Sequence, residues 1–287
     1  MKSIPVKHIA NSFREQNDTG RFNIRAIQQI LNGQAMLHEL HKHDFYFILA
    51  IDQGKGIHEI DFVSYPVTGH AVFILRPGQV HRLELEAGSS GFLMEFDLTF
   101  YQPRTSITDL RWRKVSGKNF CALETARYEK LQNVLANILH EYTHKQDGFI
   151  EIIKANLDIF FIEFNRQSSH PKRLSNTGSD YTQTLFDEFC LLLETNIATI
   201  KNVSQYAAML HLSVYQLNAV TKTAVGKTVS ELINEQLILE AKRYLLATAQ
   251  QVKDIADHLG YEDVSYFIRF FKKHTGHSPD AFRKNFK

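Results

Sequence analysis

The first third of the chain has the spacing of apolar residues that is typical of β-strands. Residues 45–51 and 71–75 are continuous apolar runs, and residues 58–62 alternate between apolar and polar positions. Short apolar runs favour strands that are buried on both faces, and alternation favours a strand with one buried face. The turns fall at glycines, with Gly54 and Gly56 directly after the first run. From about residue 22 to residue 100 the pattern therefore predicts strands joined by turns.

The spacing changes to a helical period over residues 123–164, which predicts two amphipathic helices. The apolar stripe of the first consists of Leu131, Val134, Leu135, Ile138 and Leu139, and that of the second of Ile152, Ile153, Leu157, Phe160, Phe161 and Phe164. Residues 167–179 are polar and contain Pro171 and Gly178. Such a composition predicts a flexible linker between domains.

The last hundred or so residues contain one pattern twice. Three positions of the first copy recur 49 residues later, and three more recur 50 residues later. The pairs are Val203 and Val252, Ala207 and Ala256, Leu210 and Leu259, Leu217 and Phe267, Val220 and Phe270, and Gly226 and Gly276. A repeat at fixed spacing indicates a duplicated unit, and this unit has the layout of a helix-turn-helix, a device that reads DNA.

The second helix of each copy carries its own start signal. Ser213 and Gln216 have the spacing of a capping box, and Asp263 is placed to cap the helix that begins at Val264. Apolar residues three apart are expected to face inward, and the residues between them to face outward toward base edges. The expected inward pairs are Leu217 with Val220 and Phe267 with Phe270.

A strongly periodic helix is predicted between the copies. Thr228 and Glu231 form a capping box, and an apolar residue follows at every fourth position. About 18 helical residues at 1.5 Å each give a rigid spacer of roughly 27 Å. With the flanking units added, the two DNA-reading helices could enter successive major grooves about 34 Å apart.

These residues resemble the DNA-binding domain of the AraC/XylS family of bacterial transcription regulators. The resemblance covers roughly residues 185–286 and is closest in the second copy. The matching segments are Asp254-Ile-Ala256, Leu259-Gly-Tyr261, Tyr266-Phe267, Phe270-Phe271-Lys272-Lys273, Gly276 and Ser278-Pro279. The first copy departs from the family pattern at Ala219 and at Thr221-Lys222-Thr223. How much sequence information the first copy contributes is therefore left open.

The resemblance implies which residues contact DNA. Base contacts are implied for Tyr215, Gln216, Asn218 and Lys222 in the first copy and for Ser265, Tyr266, Arg269, Lys272 and Lys273 in the second. Arg269 is the strongest candidate, because a guanidinium can bind guanine through two hydrogen bonds. Lys272, Lys273 and Arg283 look like phosphate contacts. The alternatives are a solvated helix face for Arg269 and Tyr215, and a packing role for Tyr266.

The charge of the chain does not by itself indicate a nucleic-acid partner, since the net charge is only +2. Basic residues are instead concentrated locally around the second copy, and local placement decides phosphate contact. This group consists of Arg269, Lys272, Lys273, Arg283, Lys284 and Lys287.

The N-terminal strands resemble a small cupin barrel. The resemblance rests on His41-Lys-His43, the turn at Gly54 and Gly56, and Pro77-Gly-Gln-Val-His81. Regulators of the AraC type commonly place such a barrel before the DNA-binding domain as an effector sensor. The implied effector pocket would be lined by His41, His43, Tyr46 and His81, because small barrels can hold one small ligand.

Metal-binding cupins complete their site with a glutamate, and this chain has Tyr46-Phe47-Ile48-Leu49 in that part of the strand. We therefore predict neither a metal nor another cofactor. Three imidazoles can nevertheless hold Zn²⁺ or Fe²⁺. One alternative is accordingly a metal-dependent cupin-type enzyme that uses His41, His43 and His81. Another is a DNA-binding regulator whose barrel is structural and binds no ligand.

The two cysteines, Cys121 and Cys190, lack metal-ligand spacing and are expected to be reduced packing residues. The N-terminal residues lack the apolar run of a signal peptide, so a cytoplasmic protein is expected.

The sequence as a whole predicts an α+β protein: a cupin-like barrel with a helix pair, then an all-α domain of two helix-turn-helix units joined by a long helix. The predicted domains are residues 1–168 (barrel about 20–100, helix pair about 123–166), linker 169–182 and DNA-binding domain 183–287, with helix-turn-helix units 203–226 and 252–276. The helix pair resembles the family's dimerisation element, with a lid on its own barrel as the alternative.

The predicted function is sequence-specific transcriptional regulation, as an effector-responsive activator and not as an enzyme. The expected partners are double-stranded promoter DNA, RNA polymerase, an unidentified small-molecule effector and a second copy of the chain.

Overall fold

A computed structural model describes residues 6–7, 22–101, 112, 115, 118–168 and 177–285. The chain divides into two compact units, an N-terminal unit of Pro5–Lys172 and a C-terminal unit of Arg173–Lys287. The first contains the sheets, and the described elements of the second are all helices, so the predicted α+β class is confirmed. Among the described residues, every helix is too short or too polar to cross a membrane.

The N-terminal unit is built on two five-stranded sheets. Its strands are β1 (Val6–Lys7), β2 (Phe22–Ala26), β3 (Met36–His43), β4 (Tyr46–Gln53), β5 (Gly56–Ile60), β6 (Val63–Val67), β7 (Ala71–Leu75), β8 (Val80–Leu85), β9 (Ser90–Phe96) and β10 (Phe120–Ala122). The first sheet has the order β1-β3-β8-β5-β6, and the second has the order β10-β7-β4-β9-β2. All neighbours are antiparallel except β1 and β3. A short helix α1 (Ile27–Leu31), which the sequence pattern did not predict, follows β2.

Strand β4 explains why residues 45–51 are continuously apolar. Phe47, Leu49 and Ile51 lie in a core with residues of the first sheet, which we call the barrel core. Ile48 and Ala50, which alternate with them, belong to a second core formed with the helices, which we call the helix-facing core. Because successive side chains of a strand point to opposite faces, a strand between two cores must be apolar at every position.

The predicted helix pair consists of α2 (Thr125–His144) and α3 (Phe149–Ser168). The apolar stripes bury Leu131 and Leu135 of α2 together with Leu157 and Phe161 of α3 in the helix-facing core. Burying a large aliphatic or aromatic side chain stabilises the fold by roughly 1.5–3 kcal/mol. These stripes therefore anchor the helix pair to the barrel of its own chain.

The C-terminal unit contains seven described helices. They are α4 (Thr177–Asn196), α5 (Val203–Met209), α6 (Val214–Val225), α7 (Val229–Ala247), α8 (Val252–His258), α9 (Val264–Thr275) and α10 (Pro279–Asn285). We call α5 with α6 the first repeat, and α8 with α9 the second repeat; α7 is the spacer helix. Residues 177–182 of the predicted linker belong to α4, which corrects that prediction, and residues 169–176 lie outside the described part of the chain.

The predicted helix starts are present in the structure. Ser213 and Gln216 form the capping box of α6, and Thr228 and Glu231 form that of α7. Asp263 caps α9 by accepting a hydrogen bond from the Ser265 backbone N–H at 2.7 Å. These local contacts satisfy backbone donors that have no partner within the helix, so they fix where α6, α7 and α9 begin.

Candidate DNA interface and barrel histidines

The two repeats bury equivalent faces of their second helices. In α6 the buried residues are Leu217, Val220 and Thr221, and in α9 they are Phe267 and Phe271. Phe270, which was expected to face inward, is only half-buried, with its ring 5.7 Å from that of Tyr261 and 4.7 Å from that of His274. The innermost residue after Phe267 is thus Phe271, which lies 50 positions after Thr221.

Helix α9 presents a basic, exposed face. The Arg269 side chain is 73% exposed, and its Nη2 atom lies 4.0 Å from Oδ2 of Asp263, which is itself 63% exposed. An exposed pair at this distance is worth little, so it does not hold the guanidinium in place. Lys272 and Lys273 are exposed in the last turn of the helix.

Two further predicted contacts of the second repeat differ in their surroundings. Ser265 is exposed directly after the cap of α9. Tyr266 is 56% exposed, and its ring centroid lies 6.0 Å from that of Tyr261. Tyr266 therefore combines an exposed edge with a packing contact, and both of the roles considered for it fit its position.

The predicted readers of α6 are not equally available. Tyr215 is 84% exposed, and Lys222 is exposed one helix turn before the end of α6. Gln216 uses its Oε1 atom to accept a hydrogen bond from the Ser213 backbone N–H at 2.8 Å. Of the four predicted readers of this helix, the exposed ones outside the cap are therefore Tyr215, with an aromatic hydroxyl, and Lys222, with an amine.

Asn218 is occupied by contacts within the protein. Its Nδ2 atom donates to the Val214 carbonyl at 3.0 Å, and its Oδ1 atom accepts from the Val229 backbone N–H at 3.1 Å. Val229 is the first residue of the spacer helix. A base contact by Asn218 would leave that N–H without this partner, so its geometry favours a structural role over the predicted base contact.

Arg283 was predicted to contact phosphate, and the structure places it inside the C-terminal unit instead. Its side chain is buried, Nε donates to the Leu245 carbonyl at 2.9 Å, and Nη2 donates to the Gln250 carbonyl at 2.7 Å. Leu245 lies in the last turn of the spacer helix, where carbonyl groups lack partners within the helix. The guanidinium therefore closes the end of this helix, which corrects the predicted role.

The turn of the second repeat contains a glycine that the structure requires. Gly260 has φ +70°, and a Cβ atom there would lie 2.3 Å from the carbonyl oxygen of Ala198. Lys201 donates to the Gly260 carbonyl at 2.9 Å, and its Nζ atom lies 5.0 Å from the Tyr261 ring centroid. His211 occupies the equivalent position of the first repeat, with φ +55°.

The barrel core contains a cluster of four buried histidines. His41 and His43 come from β3, His81 from β8 and His58 from β5, three neighbouring strands of the first sheet. His41 lies directly opposite His81 in the register of β3 and β8. Sequence reasoning did not include His58; the signal was its alternation with Ile60, which is also fully buried.

Hydrogen bonds connect these imidazoles in a chain. Nε2 of His43 lies 2.7 Å from Nε2 of His81, and Nδ1 of His81 lies 2.9 Å from Nε2 of His58. Nδ1 of His41 donates to the Glu39 carbonyl at 2.7 Å. Nε2 of His41 is buried without a hydrogen-bond partner among the described residues.

The cluster is neutral at physiological pH. Burial is the largest cause, and it lowers the pKa of His41 to about 4 and the pKa values of His43 and His58 to about 3. The pKa of His81 is also well below its usual value, because burial and the neighbouring imidazoles disfavour the charged form. Neutral imidazoles keep a free lone pair, which a proton or a metal ion can use.

The structure does not bring Tyr46 to these histidines. Its ring stacks on Phe96 with 5.5 Å between centroids and lies 4.6 Å from the Trp112 ring, in the helix-facing core. Phe47 belongs to the segment in which metal-binding cupins have their glutamate. Its ring lies parallel to the His43 ring, with 5.2 Å between the ring centroids. The inner surface of the barrel next to the histidines is therefore aromatic.

Comparison with known protein families assigns both units. Residues 22–158 match the AraC-like ligand binding domain, and residues 206–285 match a helix-turn-helix domain of the type designated HTH_18. The two matches together cover about three quarters of the chain. The chain belongs to the AraC family of transcriptional regulators. The resemblance inferred from the sequence is thus confirmed.

Similar regulators align with this AraC-family chain over most of its length. It is 24% identical to the uncharacterised HTH-type transcriptional regulator YfiF of Bacillus subtilis over 257 residues, which cover 86% of this chain and 79% of YfiF. It is 24% identical to the transcriptional activator RhaS of Escherichia coli O157:H7, with 85% of this chain and 87% of RhaS covered. It is 21% identical to the activator RhaR of Cronobacter sakazakii, with 85% and 86% covered.

A crystal structure of ToxT from Vibrio cholerae also aligns with this AraC-family chain. The alignment covers 91% of this chain and 97% of the ToxT chain, with 16% sequence identity and a TM-score of 0.43. The family assignment rests on the two domain matches, and it makes the chain a DNA-binding transcriptional regulator with an N-terminal ligand-binding domain.

Proposed function

We propose that this regulator places α6 and α9 in successive major grooves of one promoter site and activates transcription in response to a small effector. The observation that carries the proposal is the pair of exposed faces on α6 and α9, which are connected through a spacer helix of 19 residues. At about 1.5 Å per residue the spacer is roughly 28 Å long. This length, with the width of the repeats, suits grooves about 34 Å apart.

The proposed base readers are Arg269 in α9 and Tyr215 in α6, whose side chains are largely exposed. Lys222, Lys272 and Lys273 are proposed to contact phosphates near them, where they would fix the register without reading sequence. Ser265 and Tyr266 complete the surface of the second repeat. Gln216 is proposed to contribute only through its amide nitrogen, because its Oε1 atom is used in the cap.

Replacing Arg269 with alanine is expected to weaken binding to the preferred site by about 1–3 kcal/mol and to relax discrimination at one base pair. The reason is the loss of a paired contact to one base. Competition binding against single-base variants of the site measures both effects. Lys253→Ala is the matched control, because Lys253 is an exposed basic residue of α8, outside the DNA-reading helix. Equal losses in the two variants would contradict the proposed role of Arg269.

Replacing Lys273 with alanine is expected to weaken binding to all sequences by a similar factor. A phosphate contact releases condensed counterions, so its loss should reduce the slope of log affinity against log salt by about 1. Titrations at several salt concentrations, with a specific and a random duplex, measure this slope. If Lys273→Ala altered base preference as Arg269→Ala does, the division between reading and anchoring residues would be wrong.

Selection from random duplex DNA with the full-length protein tests the proposed function directly. The expected product is a site with two elements whose centres lie about ten base pairs apart. A parallel selection with a Tyr215→Ala variant should lose preference in one element and keep the other. Failure of the full-length protein to enrich any sequence would reject the proposed mode of binding.

The proposed activation and effector response rest on the relatives and the domain match. RhaS and RhaR are named transcriptional activators, so we propose activation, with RNA polymerase as the partner at the promoter. The match to a ligand-binding domain favours an effector over the alternatives of a ligand-free barrel and of an enzyme. A regulator that binds promoter DNA works beside the chromosome, so the expected cytoplasmic location is part of the proposal. If the affinity for the promoter site is the same with and without every candidate effector, the proposed response is contradicted.

We also propose that α3 contributes to a homodimer. Ile152 and Ile159, which lie two helix turns apart on one face, are 41% and 45% exposed, while the opposite stripe packs on the barrel. Sedimentation should show a dimer for the wild type and a shift toward monomer for Ile159→Asp, because a charge in an apolar interface is costly. Glu151→Ala, at an exposed position on another face of the same helix, should sediment as the wild type. A wild-type monomer at micromolar concentration would reject the dimer.

A further inference from the structure

The two DNA-reading helices present different chemistry at equivalent positions. Tyr215, Ala219 and Lys222 follow one another at intervals of four and three residues, so they share one face of α6, and all three are exposed. The equivalent residues of α9, 50 positions later, are Ser265, Arg269 and Lys272. The first repeat therefore has an alanine at the position where the second repeat has its proposed guanine reader.

The amide side chains of α6 are not free to read adenine. An amide reads adenine by donating from its nitrogen and accepting at its oxygen at the same time. Oε1 of Gln216 already accepts from the Ser213 backbone N–H, and both polar atoms of the Asn218 amide bond to backbone groups of the protein. The centre of the exposed face of α6 therefore offers apolar atoms to base edges, namely the Ala219 methyl group and the Tyr215 ring.

Thymine is the base that suits such a face. Among the four bases it alone presents a methyl group in the major groove, beside the O4 acceptor, and alanine and aromatic side chains pack against that methyl group. The Tyr215 hydroxyl can donate to O4. We infer that the first repeat reads thymine through Ala219 and Tyr215, so that one promoter site combines a thymine-containing element for α6 with a guanine-containing element for α9. This inference rests on the proposed function, in which α6 enters a major groove.

The charges of the two helices fit the same division. Thr223 is exposed on α6, and its equivalent on α9 is the exposed Lys273. Helix α6 thus has one exposed cation, Lys222, and the exposed face of α9 has three, Arg269, Lys272 and Lys273. Contacts to phosphates weaken as salt releases them, whereas burial of a methyl group does not depend on counterions. The second repeat therefore supplies most of the electrostatic attraction, and the first repeat adds apolar contacts to bases.

Deoxyuridine tests the inference one methyl group at a time, because it differs from thymidine only in lacking the C5-methyl group. The full-length protein first selects its site from random duplexes, and the enriched site is then rebuilt with deoxyuridine in one element or the other. Competition binding should show an affinity about three- to fivefold weaker for each contacted methyl group that the first element loses. The same replacement in the second element should leave the affinity unchanged, which controls for any change in the stiffness of the duplex.

Ala219→Arg is the matched protein variant, because it gives α6 the side chain that α9 has at the equivalent position. At the base pair that faces residue 219, this variant should lose its response to deoxyuridine and prefer guanine over thymine by about fivefold or more. Gln205→Arg is the control, since it adds the same charge at an exposed position of α5, outside the DNA-reading helix. It should leave the base preference and the response to deoxyuridine as they are in the wild type.

The possible outcomes separate this inference from the proposed function. The inference alone is overturned if the selected site has two elements but neither responds to deoxyuridine, or if folded Ala219→Arg keeps the base preference of the wild type. A selected site with a single element would reject the proposed binding in successive grooves, and this inference with it. Should Ala219→Arg fail to fold, the deoxyuridine series with the wild-type protein decides.

Discussion

Replacing Gly260 with alanine should destabilise the C-terminal unit by about 2–4 kcal/mol. The backbone at this residue has φ +70°, which costs a residue with a side chain about 1 kcal/mol, and the added methyl group would meet the Ala198 carbonyl oxygen at 2.3 Å. The neighbouring atom belongs to the backbone, so the contact cannot be relieved by a change of rotamer. Because Gly260 lies in the turn before α9, we also expect weaker binding to specific DNA.

Urea unfolding with two probes measures this effect. Trp112, the only tryptophan of the chain, lies in the N-terminal unit, so its fluorescence follows that unit, while far-ultraviolet circular dichroism includes the helices of the C-terminal unit. Gly260→Ala should shift a dichroism transition and leave the tryptophan transition unchanged.

His211→Gly is the control for this substitution, because His211 has φ +55° at the equivalent turn. It should change the free energy of unfolding by less than about 1 kcal/mol, since relief of the backbone is offset by greater freedom of the unfolded chain. If Gly260→Ala unfolded at the same urea concentration as the wild type, the turn would not pack against Ala198.

Replacing Arg283 with alanine should destabilise the same unit by about 2–4 kcal/mol. The substitution removes two charge-assisted hydrogen bonds, to the carbonyls of Leu245 and Gln250, and leaves the carbonyl of the buried Leu245 without this partner. Thermal unfolding followed by circular dichroism measures the loss. Lys284→Ala should unfold as the wild type does, because Lys284 is exposed.

DNA binding separates the structural role of Arg283 from the phosphate contact predicted from the sequence. Below the unfolding temperature of the variant, the salt dependence of its DNA affinity should equal that of the wild type. A phosphate contact would give the opposite pair of results: the stability would be unchanged, and the slope of log affinity against log salt concentration would be reduced by about 1.

The architecture of the C-terminal unit could be predicted because its signals are local. Caps such as Ser213 with Gln216 lie within one helix turn, and the duplicated spacing makes each copy support the other. The roles of Asn218 and Arg283 could not be predicted in this way, since helical periodicity shows only which face of a helix a residue occupies. Asn218 bonds to Val229, 11 residues on, and Arg283 to Leu245, 38 residues back, and neither contact leaves a trace in the local pattern.

In the N-terminal unit, the apolar runs predicted strands but could not distinguish the two sides of β4. Tyr46 and His43 are close in sequence, yet they belong to different cores, because Tyr46 lies on the side of β4 opposite to Phe47, which contacts His43. His58 lies in the histidine cluster because β5 pairs with β8. This pairing depends on the register of two strands that are distant in sequence. Such long-range pairing is set by the packed sheet and not by the residues of either strand alone.

The contact of Lys201 with Gly260 and Tyr261 affects which DNA sites the two repeats can bind together. The segment that leads into the first repeat rests on the turn of the second repeat, so the repeats are joined by this bridge as well as by α7. Because the two repeats are connected at two places, we expect the C-terminal unit to resist bending more than it would if α7 alone joined them. When the half-sites of a promoter lie slightly too close or too far apart, the duplex has to twist or curve to meet the protein. Steps that deform easily, such as TA and CA, would then favour binding at positions that no side chain touches.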